Sequence, residues 1–366
     1  GFPFFLPEGA PEKFEEETGG DIDVTYEDFL VLAMKQLADP HAWDVGGCGM
    51  LRHLIDEGVL QEIPVAELPH WKTDEVMECI TNPDDYFPPK VADRMKPLLW
   101  KEPGTSLISS PIFWNYDSFT YLPEFLPFEE QGSKVSMGYE ELHNPEWKGR
   151  VASIDDPMIG FGQVNNYLEA SGQHVFTGPP TNMTREDVDT CFNFLLPDVK
   201  AGQFRSFWFD YADSVSILAT KEVYMTMTYQ PACFDSRKAG TPAYYAALRD
   251  GPFFWFNANI VSKYASEDVL PWAYKFCDWQ LDLYMQMAVT KQGYPSPRIY
   301  NEDYKEAMGD EMYDWYYMDK ATYLPIDEVM KELWPDREEF WTLPERLQNG
   351  LFLPDVYFRH FWVGEP

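Results

Sequence analysis

The chain has 366 residues, 45% hydrophobic and 17% aromatic, enough to bury a sizeable core and long enough that two lobes are expected. Its 61 acidic residues against 28 basic ones give a formal charge of -33, which excludes the basic footprint that nucleic-acid binding needs. No run of 18 apolar residues occurs, so no membrane-spanning helix is expected.

In chain order, Pro11–Thr18 reads as a helix ended by Gly19-Gly20, and Asp23–Tyr26 as a strand. Phe29–Leu37 is helical, and Trp43–Val45 is a short strand running into the Gly46–Gly49 turn. Leu51–Glu57 is a helix closed by Gly58, with Val59–Ile63 extended behind it. Pro64–Thr105, rich in Pro, Trp and Asp, reads as irregular. Ile108–Trp114 is a strand expected to cross between lobes. A short helix end at Glu140–Leu142 and the turn residue Gly149 precede the strand Val151–Ile154, which stops at Asp155-Asp156. A carboxylate at the C-terminal end of such a strand is where α/β sheets hold ligands.

Helices are expected over Thr184–Leu196 and Ser214–Thr220, then the strand Val223–Tyr229 and a second crossing at Phe253–Val261. Ser266–Lys291 reads as one long amphipathic helix with Trp272, Phe276, Trp279, Leu283 and Met287 on one face. Asp310–Asp319 is acidic and aromatic; it lacks EF-hand spacing and reads as a solvated amphipathic helix.

This alternation predicts an α/β chain with a mostly parallel sheet. Two crossings make it a two-lobed, hinged clamshell with an interlobe cleft: residues 1–112 plus 259–300 form lobe 1, and residues 113–258 plus 301–366 form lobe 2. The chemistry such a cleft could hold is limited. Five cysteines (Cys48, Cys79, Cys191, Cys233, Cys277) show no C-x-x-C spacing, and six histidines form no metal or triad pattern. No G-x-S-x-G or phosphate loop exists. A recognition protein is expected, with no cofactor, no metal and no catalytic residue.

Eight short pieces in order are similar to the polyamine-type (spermidine/putrescine) solute-binding proteins of bacterial ABC importers. They are F-E-E-E-T-G (Phe14–Gly19), W-D-V with D-E-G-V-L-Q-E-I (Trp43–Val45, Asp56–Ile63), P-x-x-W (Pro111–Trp114) and P-E-W-K-G-R (Pro145–Arg150). K-E-V (Lys221–Val223), A-G-T-P (Ala239–Pro242), F-F-W (Phe253–Trp255) and G-Y-P-S-P (Gly293–Pro297) complete them. The resemblance implies a type II periplasmic binding fold, a monomer that passes its ligand to permease subunits, and a periplasmic location. The Gly-Phe-Pro-Phe-Phe opening reads as a processed start after signal-peptide removal. The family's strand before the first helix has no counterpart here beyond Phe2, Phe4 and Phe5.

Ligand positions implied by the resemblance are the aromatics Phe2 and Phe5, the loop residue Cys48, the carboxylate Asp156, the strand aromatic Tyr229, Trp255 of F-F-W, and Tyr294. Trp114 and Tyr116 are further aromatic candidates, and Arg205 could grip a carboxylate. Two of the family's three amine-binding carboxylates are absent, replaced by Ile159 and Asn257. An aromatic box with fewer anions suits one cationic head, held by cation–π contacts of about 0.5–2 kcal/mol each. The expected ligand is a small cationic or zwitterionic amine, betaine-like or an ω-amino acid; a classical polyamine is the alternative, and an enzyme or sensor on the same fold a more distant one.

Overall fold

The computed structural model describes residues 5–27, 29–39, 41–48, 51–126, 137–178, 183–246, 248, 253–317 and 360–361. The chain opens with α1 (Ala10–Thr18) and α2 (Phe29–Ala38), then β1 (Val45–Cys48), α3 (Leu51–Asp56), β2 (Leu60–Gln61) and β3 (Ile63–Pro64). Next come α4 (Glu78–Thr81), α5 (Pro89–Leu99), β4 (Trp100–Glu102), β5 (Ser106–Leu107) and the long β6 (Ser110–Tyr121). The strand β7 (Val151–Ile154) feeds α6 (Pro157–Ala170), α7 (Arg185–Ala201) feeds β8 (Phe204–Trp208), and α8 (Tyr211–Ala219) feeds β9 (Met225–Tyr229). After α9 (Gln230–Lys238) come β10 (Tyr244–Tyr245), β11 (Phe253–Ser262), α10 (Leu270–Trp279), α11 (Leu283–Thr290), α12 (Glu302–Met308), α13 (Asp310–Tyr317) and β12 (His360–Phe361).

The chain folds as two compact units, residues 1–115, 255–307 and 362–366 in one and 116–254 and 308–361 in the other. Unit 1 contains β1 and β2 paired antiparallel to β11, with Gly47 opposite Asn259 and Val45 opposite Val261. Its core near the start of the chain joins Ala10 and Phe14 of α1 to Phe276, Trp279 and Met285, and rings 5.3–5.6 Å apart meet edge to face. In unit 2, β6 pairs antiparallel with β9, and β9, β7 and β8 run parallel in that order. Its core gathers Phe119, Tyr139, Leu142, Val151, Met225 and Met227. Full burial of each such side chain is worth about 1.5–3 kcal/mol.

Several expectations need correction. The sheet is mixed rather than mostly parallel: β1, β2, β9 and β10 each enter an antiparallel pair. The stretch from Pro64 to Thr105 is ordered. It carries α5, whose buried Val91, Met95, Leu98 and Leu99 follow helical spacing, and an antiparallel β3-β5-β4 sheet. Its prolines mislead, because Pro89 sits at a helix start where it is favourable. The expected helix Ser266–Lys291 is two: α10 ends at Trp279, and the Asp282 carboxylate caps α11 by accepting from the Met285 N–H at 2.8 Å. Its supposed apolar face is interrupted, since Trp272 and Leu283 are exposed. Asp23–Tyr26 forms no ladder among the described residues. α13 forms where a solvated helix was expected over Asp310–Asp319, but Tyr316 and Tyr317 are fully buried, so its last turn packs into the protein; residues 318 and 319 lie outside the described residues.

Candidate ligand-binding surfaces

In unit 1, strand alternation on β11 places Trp255, Asn257 and Asn259 on one face. Trp255 joins an aromatic cluster centred on Phe113 of β6: the centroids of Phe5, Tyr294 and Trp255 lie 5.0, 5.0 and 6.3 Å from that of Phe113. Trp255 and Tyr294 are 6.1 Å apart. Such tilted and edge-to-face contacts add about 0.5–1.5 kcal/mol per pair beyond burial. The Gly293–Ser296 turn carries Tyr294 to this place. The Asn115 amide donates to the Gly293 carbonyl at 2.9 Å, the Trp114 N–H to that of Pro295 at 3.0 Å, and the Trp114 indole to that of Ser296 at 3.2 Å. Gly293 takes φ +98°, a conformation open to glycine.

Asn257 is buried, and its Oδ1 has no hydrogen-bond partner. A buried acceptor in that state costs about 1–3 kcal/mol until something donates to it.

In unit 2, the candidate residues gather at the C-terminal ends of the parallel strands. Trp208 ends β8 opposite Ile154, its indole donates to Thr226 Oγ1 at 2.9 Å, and its ring lies 6.1 Å from that of Tyr229. The Asp155 N–H donates to the Trp208 carbonyl at 2.7 Å. Asp156 leads into α6, its Oδ1 accepting from the Ile159 N–H at 3.1 Å.

The sequence-derived residues therefore fall into groups. Phe5, Trp255 and Tyr294 come together in unit 1, with Asn257 on the Trp255 face. Asp156 and Tyr229 flank Trp208 in unit 2. Trp114 and Tyr116 alternate to the face of β6 opposite Phe113, where Trp114 is held by the Ser296 turn and Tyr116 packs on Tyr245 at 5.3 Å. Arg205 is the extra residue of a bulge between Val151 and Ala152 of the partner strand, and its exposed side chain pairs with Glu222 at 3.1 Å. Cys48 lies on β1, and Phe2 lies outside the described residues. Phe113 and Trp208 were missed. Strand alternation through Ile108–Trp114 could have found the first, and the end of the Phe204–Trp208 stretch the second.

Cys79, Cys191 and Cys277 are buried free thiols, and burial pushes each pKa up, to about 12 for Cys191, so none is poised as a nucleophile. Among the described residues no cluster of three or more His, Cys, Asp or Glu side chains could hold a metal ion.

Residues 10–303 match the family model of the bacterial extracellular solute-binding proteins, and the chain belongs to that family. Membership assigns it recognition of a solute rather than catalysis. No curated protein matches it in sequence. Among solved structures, the spermidine/putrescine ABC transporter substrate-binding protein PotD from Streptococcus pneumoniae, in complex with calcium and HEPES, superposes with a TM-score of 0.61 at 14% identity, covering 98% of this chain and 90% of its own. The TpPotD lipoprotein of Treponema pallidum gives 0.59 at 11% identity over 82% of this chain and 86% of its own. AgtB from A. tumefaciens R10, in complex with agropinic acid, gives 0.52 at 12% identity over 93% and 88%. At these identities the likeness is one of fold. No helix of the described residues is long and apolar enough to cross a membrane.

Proposed function

We propose that the protein captures a small amine with a single cationic head, a quaternary ammonium, betaine-like or ω-amino acid ligand, and delivers it as a periplasmic monomer to the permease subunits of an ABC importer. The observation that carries this reading is the juxtaposition of the Phe5–Phe113–Trp255–Tyr294 cluster with a buried Asn257 oxygen that lacks a donor. Aromatic faces attract an alkylammonium and a lone amide oxygen accepts one N–H or polarised C–H, whereas a chain of several ammonium groups needs several anions. Asn257 and Ile159 offer none. Within unit 2, Asp156 and Tyr229 are proposed as ligand contacts in their own right.

Calorimetric titration tests this with choline, glycine betaine, a sulfonium betaine, trimethylamine N-oxide, γ-aminobutyrate, putrescine and spermidine. Binding confined to single-headed or zwitterionic ligands supports the reading. Binding confined to the polyamines overturns it in favour of the classical ligand class, and binding of none removes the amine assignment altogether.

A further inference from the structure

Two buried glutamines at the junction of α10 and α11 reach the backbone of the aromatic cluster in unit 1. Gln280 is fully buried and Gln286 nearly so. The Gln280 side-chain amide donates to the carbonyl of Phe5 itself at 3.1 Å. That of Gln286 donates to the carbonyl of Ile112, the residue before Phe113, at 3.2 Å, and to the Gln280 carbonyl at 2.8 Å. Its Oε1 accepts from the hydroxyl of Ser296, two residues after Tyr294. Phe5, Phe113 and Tyr294 thus have their backbones fastened, at or close to the ring-bearing residue, to one linked pair of amides. These segments are far apart in sequence, so no local turn sets their spacing.

The junction is held independently of the cluster. The Asp282 carboxylate caps α11, and the Leu281 carbonyl accepts from the Arg298 guanidinium, whose Nε donates to Glu75 at 3.0 Å. The Arg298 N–H in turn donates to the Ser296 hydroxyl at 3.0 Å.

An apolar side chain could fill position 286 without the desolvation cost of a buried amide. It could not fix distance and direction, because apolar contacts slide while an N–H···O bond holds a narrow range of both. Gln286 uses its amide nitrogen and its oxygen, so its orientation is set by the network. Gln280 differs, since its Oε1 has no partner. A buried oxygen in that state lowers stability, so packing alone does not account for a glutamine at 280.

We infer that Gln280 and Gln286 are positioning residues of the ligand site, setting the spacing of the Phe5, Phe113 and Tyr294 rings before ligand arrives. The inference rests on the proposed reading of this cluster as an amine site. It adds that affinity there depends on two side chains that act through the rings, by sparing the complex the cost of ordering them.

The test places 4-fluorophenylalanine at position 113, where the ring lies 5.0 Å from those of both Phe5 and Tyr294, so that its fluorine resonance reports ring placement without ligand. Gln280→Leu and Gln286→Met are compared with the parent and with Gln203→Met. This control removes a buried unit 2 amide that likewise donates to two carbonyls, those of Leu142 and Asn144. Melting temperature, fluorine spectrum and affinity for glycine betaine and choline are read for each. Gln280→Leu is expected to keep or raise the melting temperature, because it removes the unpartnered oxygen, yet to shift the fluorine resonance and weaken binding by about threefold to tenfold. Gln286→Met should shift the resonance and lower both melting temperature and affinity, whereas Gln203→Met should lower the melting temperature alone. An unmoved resonance in Gln280→Leu and Gln286→Met overturns the inference. So does a shift that Gln203→Met reproduces, or a shift that leaves affinity unchanged. A parent that binds neither probe removes the amine reading instead, and the fluorine spectra then decide by themselves whether the glutamines place the rings.

Discussion

The two units treat their buried polar groups differently where ligand contacts are assigned. At the strand ends of unit 2 these groups are already occupied: the Trp208 indole by Thr226, an Asp156 oxygen by the Ile159 N–H, Arg205 by Glu222, and the Tyr211 hydroxyl by Asp235 at 2.7 Å. In unit 1, Asn257, Asn259 and Gln280 keep buried atoms without partners. Unit 2 has such atoms too, on Gln163, Asn165 and Asn166 along α6, on Ser206 of β8 and on Ser236 of α9, but none on Trp208, Asp156 or Tyr229 themselves. An unmade hydrogen bond is costly to leave and favourable to complete, so under the proposed function the polar selectivity of unit 1 is expected to rest on its unpartnered amides.

The largest expected effect is that of Trp255→Ala. Removing the ring should weaken a quaternary ammonium ligand by about tenfold to thirtyfold, the equivalent of about 1.4–2 kcal/mol, while Trp255→Phe keeps most of the affinity. Titration calorimetry reads this, with the ligand-free melting temperature separating lost contact from lost packing. Unchanged affinity would reduce the unit 1 cluster to core. Asn257→Asp sharpens the same point. A carboxylate there should tighten putrescine by about tenfold relative to glycine betaine, since the second ammonium gains a counter-charge. A uniform loss for both ligands would mean that Asn257 supports the strand and meets no ligand.

Much of this contrast was legible in the sequence on one side only. Trp255, Asn257 and Tyr294 could be singled out because F-F-W and G-Y-P-S-P fix their strand and turn. What no spacing could reveal is which amides lack partners, since that depends on the packing of segments hundreds of residues apart, such as Gln280 with Phe5. Arg205 shows what a sequence leaves open: a single arginine on a strand reads as a possible ligand grip, and the bulge that puts it beside Glu222 could not be foreseen from spacing. The long helix read at Ser266–Lys291 failed for a local reason, the N-cap preference of Asp282 inside an otherwise continuous apolar pattern.

Smaller effects follow in unit 2. Tyr229→Ala should weaken binding by about threefold to fivefold, the lower end of a cation–π contribution, because Trp208 remains beside it. An effect as large as that of Trp255→Ala would make Tyr229 a contact as strong as Trp255. Arg205→Ala should leave affinity unchanged for zwitterions and simple ammonium ions alike, its exposed ion pair being worth about 0–1 kcal/mol of stability at most. A selective loss of γ-aminobutyrate or betaine binding would restore Arg205 as a carboxylate anchor.

The smallest effect on affinity, and the cleanest control, is at Asp187. In the capping box of α7, Thr184 Oγ1 accepts from the Asp187 N–H at 3.2 Å, and the Asp187 carboxylate accepts from the N–H groups of Thr184, Thr177 and Gly178 at 2.9, 3.1 and 3.2 Å. Burial pushes this carboxyl's pKa up, but the backbone donors outweigh it and hold the group below its ordinary value of 3.8. A carboxyl lowered on folding stabilises the native state above its unfolded value and loses that contribution as pH falls through the folded one. Asp187→Asn should therefore cost about 1 kcal/mol at neutral pH, and the gap to the parent should narrow on acidification below 3.8, as read by urea unfolding at both pH values. Ligand affinity at neutral pH should stay at the parent value, because these donors are already satisfied by the protein itself and await nothing. A variant that lost affinity along with stability would show unit 2's scaffold to be as ligand-dependent as the unpartnered amides of unit 1, and the contrast between the units would fall.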